Sequence, residues 1–203
     1  MQEQKVYIVD DEEPIRDAIS MLLDSVALQC ETFVSAKEFL ETYSQNMCGC
    51  IVSDVRMARM SGLMLQKHLS ELDCKLPIIF ITGHGDVEMA VQALKEGAFD
   101  FIQKPFHRDG LLDCINLALE KNAEDSRQNQ QNEQLKERLQ LLTNRESEVL
   151  DLLLEGKPSK QIGRELGISP RTVDVHRQNI LNKFNASSVA CLIRDVSTLK
   201  ERN

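Results

Sequence analysis

Ile51-Val52-Ser53-Asp54 is a short apolar run that ends in a carboxylate, and its reading decides the fold. Three other runs share its form. Val6-Tyr7-Ile8-Val9-Asp10-Asp11 ends in two acids and Ile78-Ile79-Phe80-Ile81-Thr82 in a hydroxyl. Phe99-Asp100-Phe101-Ile102-Gln103-Lys104-Pro105 ends in a cation. In a parallel sheet all four strand ends meet at one edge, where open α/β folds place their sites. Three acids there would hold a divalent cation. A hydroxyl and an ammonium would flank the acid that is modified.

Working outward, residues 5–9, 28–33, 50–54, 78–82 and 99–103 read as strands, short and apolar as strands buried on both faces must be. Amphipathic stretches alternate with them. Ser35-Ala36-Lys37-Glu38 is a capping box. Leu65, Leu69 and Leu72 make one helical stripe, and Val87, Ala90, Val91 and Leu94 make another, with Gly97 as its stop. Five strands and five helices in strict alternation predict a doubly wound parallel sheet. Right-handed crossovers reduce this to a flavodoxin-like arrangement, strand order 2-1-3-4-5.

The chain has 203 residues, enough for two modest domains, and its 42% hydrophobic content argues against general disorder. No apolar run approaches the roughly 18–20 residues of a membrane span. Met1-Gln2-Glu3-Gln4-Lys5 lacks a basic segment leading into an apolar one, so a cytoplasmic setting is expected. The six cysteines, at 30, 48, 50, 74, 114 and 191, are scattered and predict reduced structural thiols rather than a zinc site. Net charge is −8, unevenly spread: residues 1–120 carry 10 basic and 20 acidic side chains, whereas residues 157–183 carry six and two. An acidic module precedes one with a local basic patch.

Residues 122–140 are rich in Gln, Asn, Glu, Lys and Arg, without Gly or Pro. They read as a solvated helical linker that continues a helix begun near Asp109, with Leu135, Leu139 and Leu142 at helical spacing. From Thr143 the pattern is all helical. Thr143-Asn144-Arg145-Glu146 is a capping box, followed by a stripe of Val149, Leu152 and Leu153. Gly156-Lys157-Pro158 breaks that helix, and Gly167-Ile168 turns the chain after a short one with Ile162 and Leu166 inward. Ser169 caps the next helix with Pro170 at its first position, and a last helix covers about 187–199. Val173, Ile180, Leu181 and Phe184 point to a core. Arg171, Asp174, Val175, Gln178 and Asn182 share another face, polar and mixed as a helix that reads base edges should be. Lys157, Lys160, Arg164, Arg177 and Lys183 are available for phosphates. An ordinary helical hairpin with a solvated basic face fits this composition equally well.

Asp10, Asp11, Asp54, Thr82 and Lys104, in this order at strand ends, resemble the receiver domain of bacterial two-component response regulators over residues 4–121. Thr82-Gly83-His84-Gly85-Asp86-Val87 and Lys104-Pro105-Phe106 are similar to the FixJ-like group. The resemblance implies Asp54 as phosphoacceptor, and Mg²⁺ held by Asp10 or Asp11 or both, by Asp54 and by the backbone carbonyl of Arg56. It implies a cis Lys104-Pro105 peptide, and Thr82 and Phe101 as switch residues. Ala58 stands where the family usually has Pro, which removes a fixed φ beside the metal loop.

Thr143-x-Arg145-Glu146-x-Glu148-Val149-Leu150, Gly156, Ile162-Gly163-x-Glu165-Leu166-Gly167-Ile168-Ser169 and Thr172-Val173-x-x-His176 resemble the LuxR/FixJ-type four-helix DNA-binding domain over residues 141–199. The match implies DNA contact through Thr172 and base contact through Asp174, Val175 and Gln178. It also makes the final helix the dimer surface.

The expected organisation is a receiver at 1–121, a linker at 122–140 and a helix-turn-helix domain at 141–203. The expected function is phosphorylation of Asp54 by a sensor histidine kinase, controlling homodimerisation and binding to double-stranded promoter DNA, with no membrane partner. Two rivals stand beside it. Enzymes that pass through an aspartyl phosphate usually carry a second acid two residues after the nucleophile; here that residue is Arg56, so no enzyme is expected. A vestigial receiver on a phosphate-independent DNA-binding protein is raised by Ala58 and opposed by the intact acid pocket.

Overall fold

The alternating runs fold as five parallel strands and the helices between them. The computed structural model describes residues 3–83 and 87–200, and of residues 87, 88, 90, 198 and 200 the backbone alone. The elements are β1 (Lys5–Val9), α1 (Glu13–Asp24), β2 (Cys30–Phe33), α2 (Ala36–Thr42), β3 (Gly49–Asp54), α3 (Gly62–Glu71), β4 (Ile78–Thr82), α4 (Val87–Lys95), β5 (Asp100–Gln103) and α5 (Arg108–Gln140). They continue with α6 (Asn144–Leu154), α7 (Ser159–Leu166), α8 (Pro170–Phe184) and α9 (Val189–Lys200). The sheet order is β2-β1-β3-β4-β5, all neighbours parallel.

Strand alternation explains why helices cover both faces. Tyr7, Val9, Ile51 and Phe80 point into one core with Phe39 of α2, Leu65 and Leu69 of α3 and Ala93 of α4. Val6, Ile8, Cys50, Val52, Ile79 and Ile81 point into the other, with Ile19 and Leu23 of α1 and Leu111 and Ile115 of α5. Asn122 is buried at the foot of the sheet, where its side chain accepts from the Gly49 N–H at 2.9 Å and donates to the Lys75 carbonyl at 3.1 Å.

Several sequence readings need correction. β2 and β5 are edge strands and are not buried on both faces: only Phe33 of β2 is fully buried, and Asp100 and Gln103 of β5 are exposed. They are also shorter than expected, starting at Cys30 and Asp100. Leu72 is 47% exposed because it lies at the C-cap of α3, one residue past the end of the helix. On α4, Val91 and Leu94 are exposed while Ala93 is buried, so these two members of the expected stripe face away from the core; the side chains of Val87 and Ala90 lie outside the described residues. Glu38 completes its capping box one residue early, accepting from the N–H of Val34.

Close contacts divide the chain into two compact units, 1–126 and 127–203, with the division inside α5. In the second unit α6–α9 enclose Val149, Leu150, Leu153, Ile162, Val173, Ile180, Phe184, Leu192 and Val196. Leu150 takes the fully buried place expected of Leu152. Leu135, Leu139 and Leu142 pack against this core, so the end of α5 belongs with these helices. A Cβ at Gly163 would stand 2.7 Å from the Ile168 carbonyl oxygen, and Gly167 is left-handed (φ 67°), which together let α7 turn tightly into α8.

Candidate functional site

Strand register sets the first site. Val9 lies beside Ser53, Asp54 beside Ile81, and Thr82 beside Gln103. The carboxyl ends of β1, β3, β4 and β5 therefore stagger by about a residue, and the polar residue that ends each strand arrives at one edge. Asp10, Asp54 and Thr82 are buried there. The Lys104 ammonium bridges the two acids, 2.8 Å from Asp54 Oδ1 and 3.3 Å from Asp10 Oδ2. Glu12 Oε1 stands 3.5 Å from the same nitrogen.

Each carboxylate is held by further donors. Asp54 Oδ2 accepts from the Arg56 N–H at 2.7 Å and Asp10 Oδ1 from the Glu12 N–H at 2.8 Å. Burial raises the Asp10 carboxyl pKa, opposed by the Glu12 N–H and the Lys104 charge. For Lys104, burial lowers the pKa, but the bonds and charges of Asp54 and Asp10 outweigh it and the net direction is up. The cluster behaves as one ion-paired unit. Thr82 Oγ1 donates to the Gly83 carbonyl at 3.5 Å. Phe101 is half-buried on β5, packed against the core that holds Phe80. Lys104-Pro105 is cis.

Asp11 is not gathered with the other acids. Its side chain is turned to the β3–α3 loop, where Oδ2 accepts from the Ala58 N–H at 2.8 Å. Among the described residues no group of three or more His, Cys, Asp and Glu side chains stands close enough to hold a metal. The available donors are nonetheless carboxylate and carbonyl oxygens, the hard set that suits Mg²⁺. The chemistry of the pocket fits that ion, and one Asp11 oxygen, Oδ2, is engaged by the Ala58 N–H. His84, Gly85 and Asp86 lie outside the described residues.

The second site is the exposed face of α8. Arg171, Thr172, Asp174, Val175, Gln178 and Asn182 are all exposed on it. The basic residues divide into two groups. Lys157 bridges Glu155 and Glu165 at 2.8 and 2.7 Å, and Lys183 donates to Glu146 at 2.7 Å and to the Leu141 carbonyl at 2.9 Å. Arg177 donates to Ser159 Oγ at 2.6 Å and stands 3.8 Å from Asp174. These three are drawn into internal contacts. Lys160, Arg164 and Arg171 are exposed and make no ion pair among the described residues.

Glu146 is the buried partner behind this arrangement. Burial alone would raise its pKa, but the Lys183 ammonium and the Thr143 N–H and hydroxyl hold it down at about 2. The capping box and a tie between α6 and α8 thus share one carboxylate.

A family model described as a response regulator receiver domain matches residues 6–116, and one for bacterial regulatory proteins of the luxR family matches residues 140–196. The chain belongs to the two-component response regulators. It is 45% identical over 200 residues to the response regulator protein TmoT of Ectopseudomonas mendocina, covering 98% of this chain and 91% of that one. It is 41% identical over 194 residues to the transcriptional regulatory protein FixJ of Rhizobium meliloti, covering 96% and 95%. The solved structure of the response regulator StyR matches with a TM-score of 0.88 at 42% identity, covering 97% of this chain and 100% of that one. Like its relatives, this response regulator joins a receiver to a LuxR-type domain as a transcriptional regulator, and it is not an enzyme. No helix among its described residues is long and apolar enough to cross a membrane.

Three residues of this response regulator escaped sequence reasoning. Glu12 reaches Lys104, and its signal was the unbroken acidic run 10–13. Gly62 allows the first turn of α3 to press on Asp54: a Cβ there would stand 2.3 Å from the Asp54 carbonyl oxygen. Ser159 ties α7 to α8 by donating to Asp174 Oδ1 at 2.7 Å. No local pattern signals the last two, because each depends on a contact made only after folding.

Proposed function

We propose that Asp54 is the phosphoacceptor of this regulator, and that its phosphorylation by a sensor histidine kinase controls dimerisation and binding to double-stranded promoter DNA in the cytoplasm. The observation that carries the reading is the Lys104 ammonium, 2.8 Å from Asp54 and 3.3 Å from Asp10 at the carboxyl edge of the sheet. An Asp54 oxygen attacks the phosphorus of a kinase phosphohistidine. The new bond is P–O, the bond that breaks is P–N, and the imidazole leaves. Asp10, Asp11, Asp54 and the Arg56 carbonyl would hold Mg²⁺, which when bound offsets the charge of the phosphoryl group in transfer.

Lys104 moves its charge from the Asp54 carboxylate to a phosphoryl oxygen, and the Thr82 hydroxyl donates to another. The product carries up to about two negative charges where Asp54 carried one. Thr82 is thereby drawn inward and Phe101 packs behind it, which changes the surface near β5 and α5. Dimers then present two α8 helices to paired half-sites, with Lys160, Arg164 and Arg171 on phosphates. The change is a shift between existing populations, so some active form precedes phosphorylation.

The test is incubation with acetyl phosphate and Mg²⁺, read by intact mass. It is joined to molar mass by light scattering with and without beryllium fluoride. One added phosphoryl group, absent in Asp54→Ala, and a mimic-dependent dimer are expected. A phosphoryl group retained by Asp54→Ala removes Asp54 from the role, and a molar mass indifferent to the mimic removes dimerisation from the switch.

A further inference from the structure

The face of α8 carries more information than its charge. Asp174 would be the acceptor for a cytosine amine, but its Oδ1 accepts from Ser159 Oγ at 2.7 Å and lies 3.8 Å from Arg177. Arg177 itself donates to Ser159 at 2.6 Å. The acid and the base of this triad are engaged with each other and with the first residue of α7. Arginine and lysine are the usual readers of guanine. On α8, Arg177 is drawn into this triad and Lys183 into Glu146 and Leu141, while Arg171, exposed in the first turn, is the one assigned to a phosphate in the DNA-binding reading above.

Two side chains remain in the middle of the face. Val175 is 55% exposed. The apolar group that a base presents in the major groove is the C5-methyl of thymine. Gln178 donates one N–H to Asn182 Oδ1 at 3.1 Å. A glutamine amide on this exposed face also carries a carbonyl and a second N–H, and an amide's carbonyl and N–H are the pair that meets adenine N6 and N7. Val175 and Gln178 are three residues apart, about 4.5 Å along the helix axis. That distance is close to the ~3.4 Å between neighbouring bases of one strand.

We propose that α8 reads an adjacent thymine and adenine in each half-site, Val175 through the thymine methyl and Gln178 through the adenine edge, while Asp174 positions α7 and Arg177 and reads no base. The inference rests on the DNA-binding reading above and names the base chemistry of that same surface.

The experiment enriches a duplex from a random pool with the full-length chain, then alters single atoms of the DNA. Deoxyuridine removes the thymine methyl, and 7-deazaadenine removes N7. The wild-type chain is expected to lose about fourfold in affinity at one deoxyuridine, the worth of one buried methyl group, and about tenfold at one 7-deazaadenine. Val175→Ala should be indifferent to the first change and Gln178→Ala to the second. Both positions are exposed, so these variants leave the core untouched. Asp174→Ala should weaken binding without altering the enriched sequence, and Lys160→Ala should weaken intact and altered duplexes alike. An enriched site at which both alterations cost nothing would overturn the inference, as would variants that stay as sensitive as wild type. So would a change of base preference in Asp174→Ala alone. A chain that binds no duplex overturns the DNA-binding reading itself, so the two failures are separable.

Discussion

Gly62→Ala tests whether Asp54 is held by close packing. Gly62 opens α3 after the Ser61 N-cap, and by helix propensity alone alanine there stabilises by up to about 1 kcal/mol. The structure reverses that sign. The added Cβ would stand 2.3 Å from the Asp54 carbonyl oxygen, 2.8 Å from the Phe80 ring and 3.1 Å from Ser53 Oγ. None of these can yield easily: Asp54 is paired beside Ile81 in β3, and Phe80 is fully buried. Overpacking of this kind costs about 1–3 kcal/mol, so a net loss of about 1–2 kcal/mol is expected. Gly110→Ala is the control. It lies in the first turn of α5 with nothing near the added atom, so it should stabilise by up to about 1 kcal/mol. Urea titration with hydrogen exchange read on peptides of residues 1–126 reports the first unit separately from the second. If Gly62→Ala is as stable as wild type, or more stable, the close-packing argument is wrong.

Glu146 predicts an acid limit for the second unit. Its pKa is held at about 2, below the ordinary 4.5, so its stabilisation is present at neutral pH and drains as pH falls from about 4.5 towards 2. Glu146→Gln should cost about 2 kcal/mol at pH 7, the worth of its charged hydrogen bonds, and should flatten that acid dependence. Melts at pH 7 and pH 3 that shift equally in both proteins would contradict this. Ala58→Pro removes the N–H that holds Asp11; divalent affinity, measured by Mn²⁺ electron paramagnetic resonance with Mg²⁺ competition, should tighten, and an unchanged affinity would show that the bond does not compete. With Lys160, Arg164 and Arg171 on phosphates, the slope of log affinity against log salt should be about −3 per bound protomer, whereas a slope near −5 would mean that Lys157, Arg177 and Lys183 also abandon their internal partners.

The sheet was legible because its strands are apolar runs with definite ends, and parallel pairing turns the order of those ends into a place. Asp10, Asp54, Thr82 and Lys104 needed no contact information beyond that. Alternation along Val6-Tyr7-Ile8-Val9 even assigns each side chain to a core. What failed was the assumption that every apolar stripe faces inward. Val91 and Leu94 are exposed while the smaller Ala93 is buried, and Leu72 lies just past the end of its helix. Periodicity reports which residues share a face, and burial depends on where the helix lies on the sheet.

The charged side chains mark the deeper limit. Asp11 and Ala58 are 47 residues apart, Glu146 and Lys183 are 37, and Ser159 lies 15 and 18 residues from Asp174 and Arg177. Sequence position counts Asp11 as available for metal and Arg177 and Lys183 as available for phosphate, because an unfolded chain offers each of them to solvent. Folding lets the nearest opposite charge or polar group claim them first. Lys183 is the clearest case: by position on α8 it reads as a phosphate contact, yet it neutralises a carboxylate that is 5% exposed. Its removal would leave that charge buried without its cation, which is far costlier than one lost phosphate contact at an exposed surface. Substituting Lys183 would therefore report on the fold of the second unit, whereas substituting Lys160, exposed and without an ion pair among the described residues, would test the proposed phosphate contact.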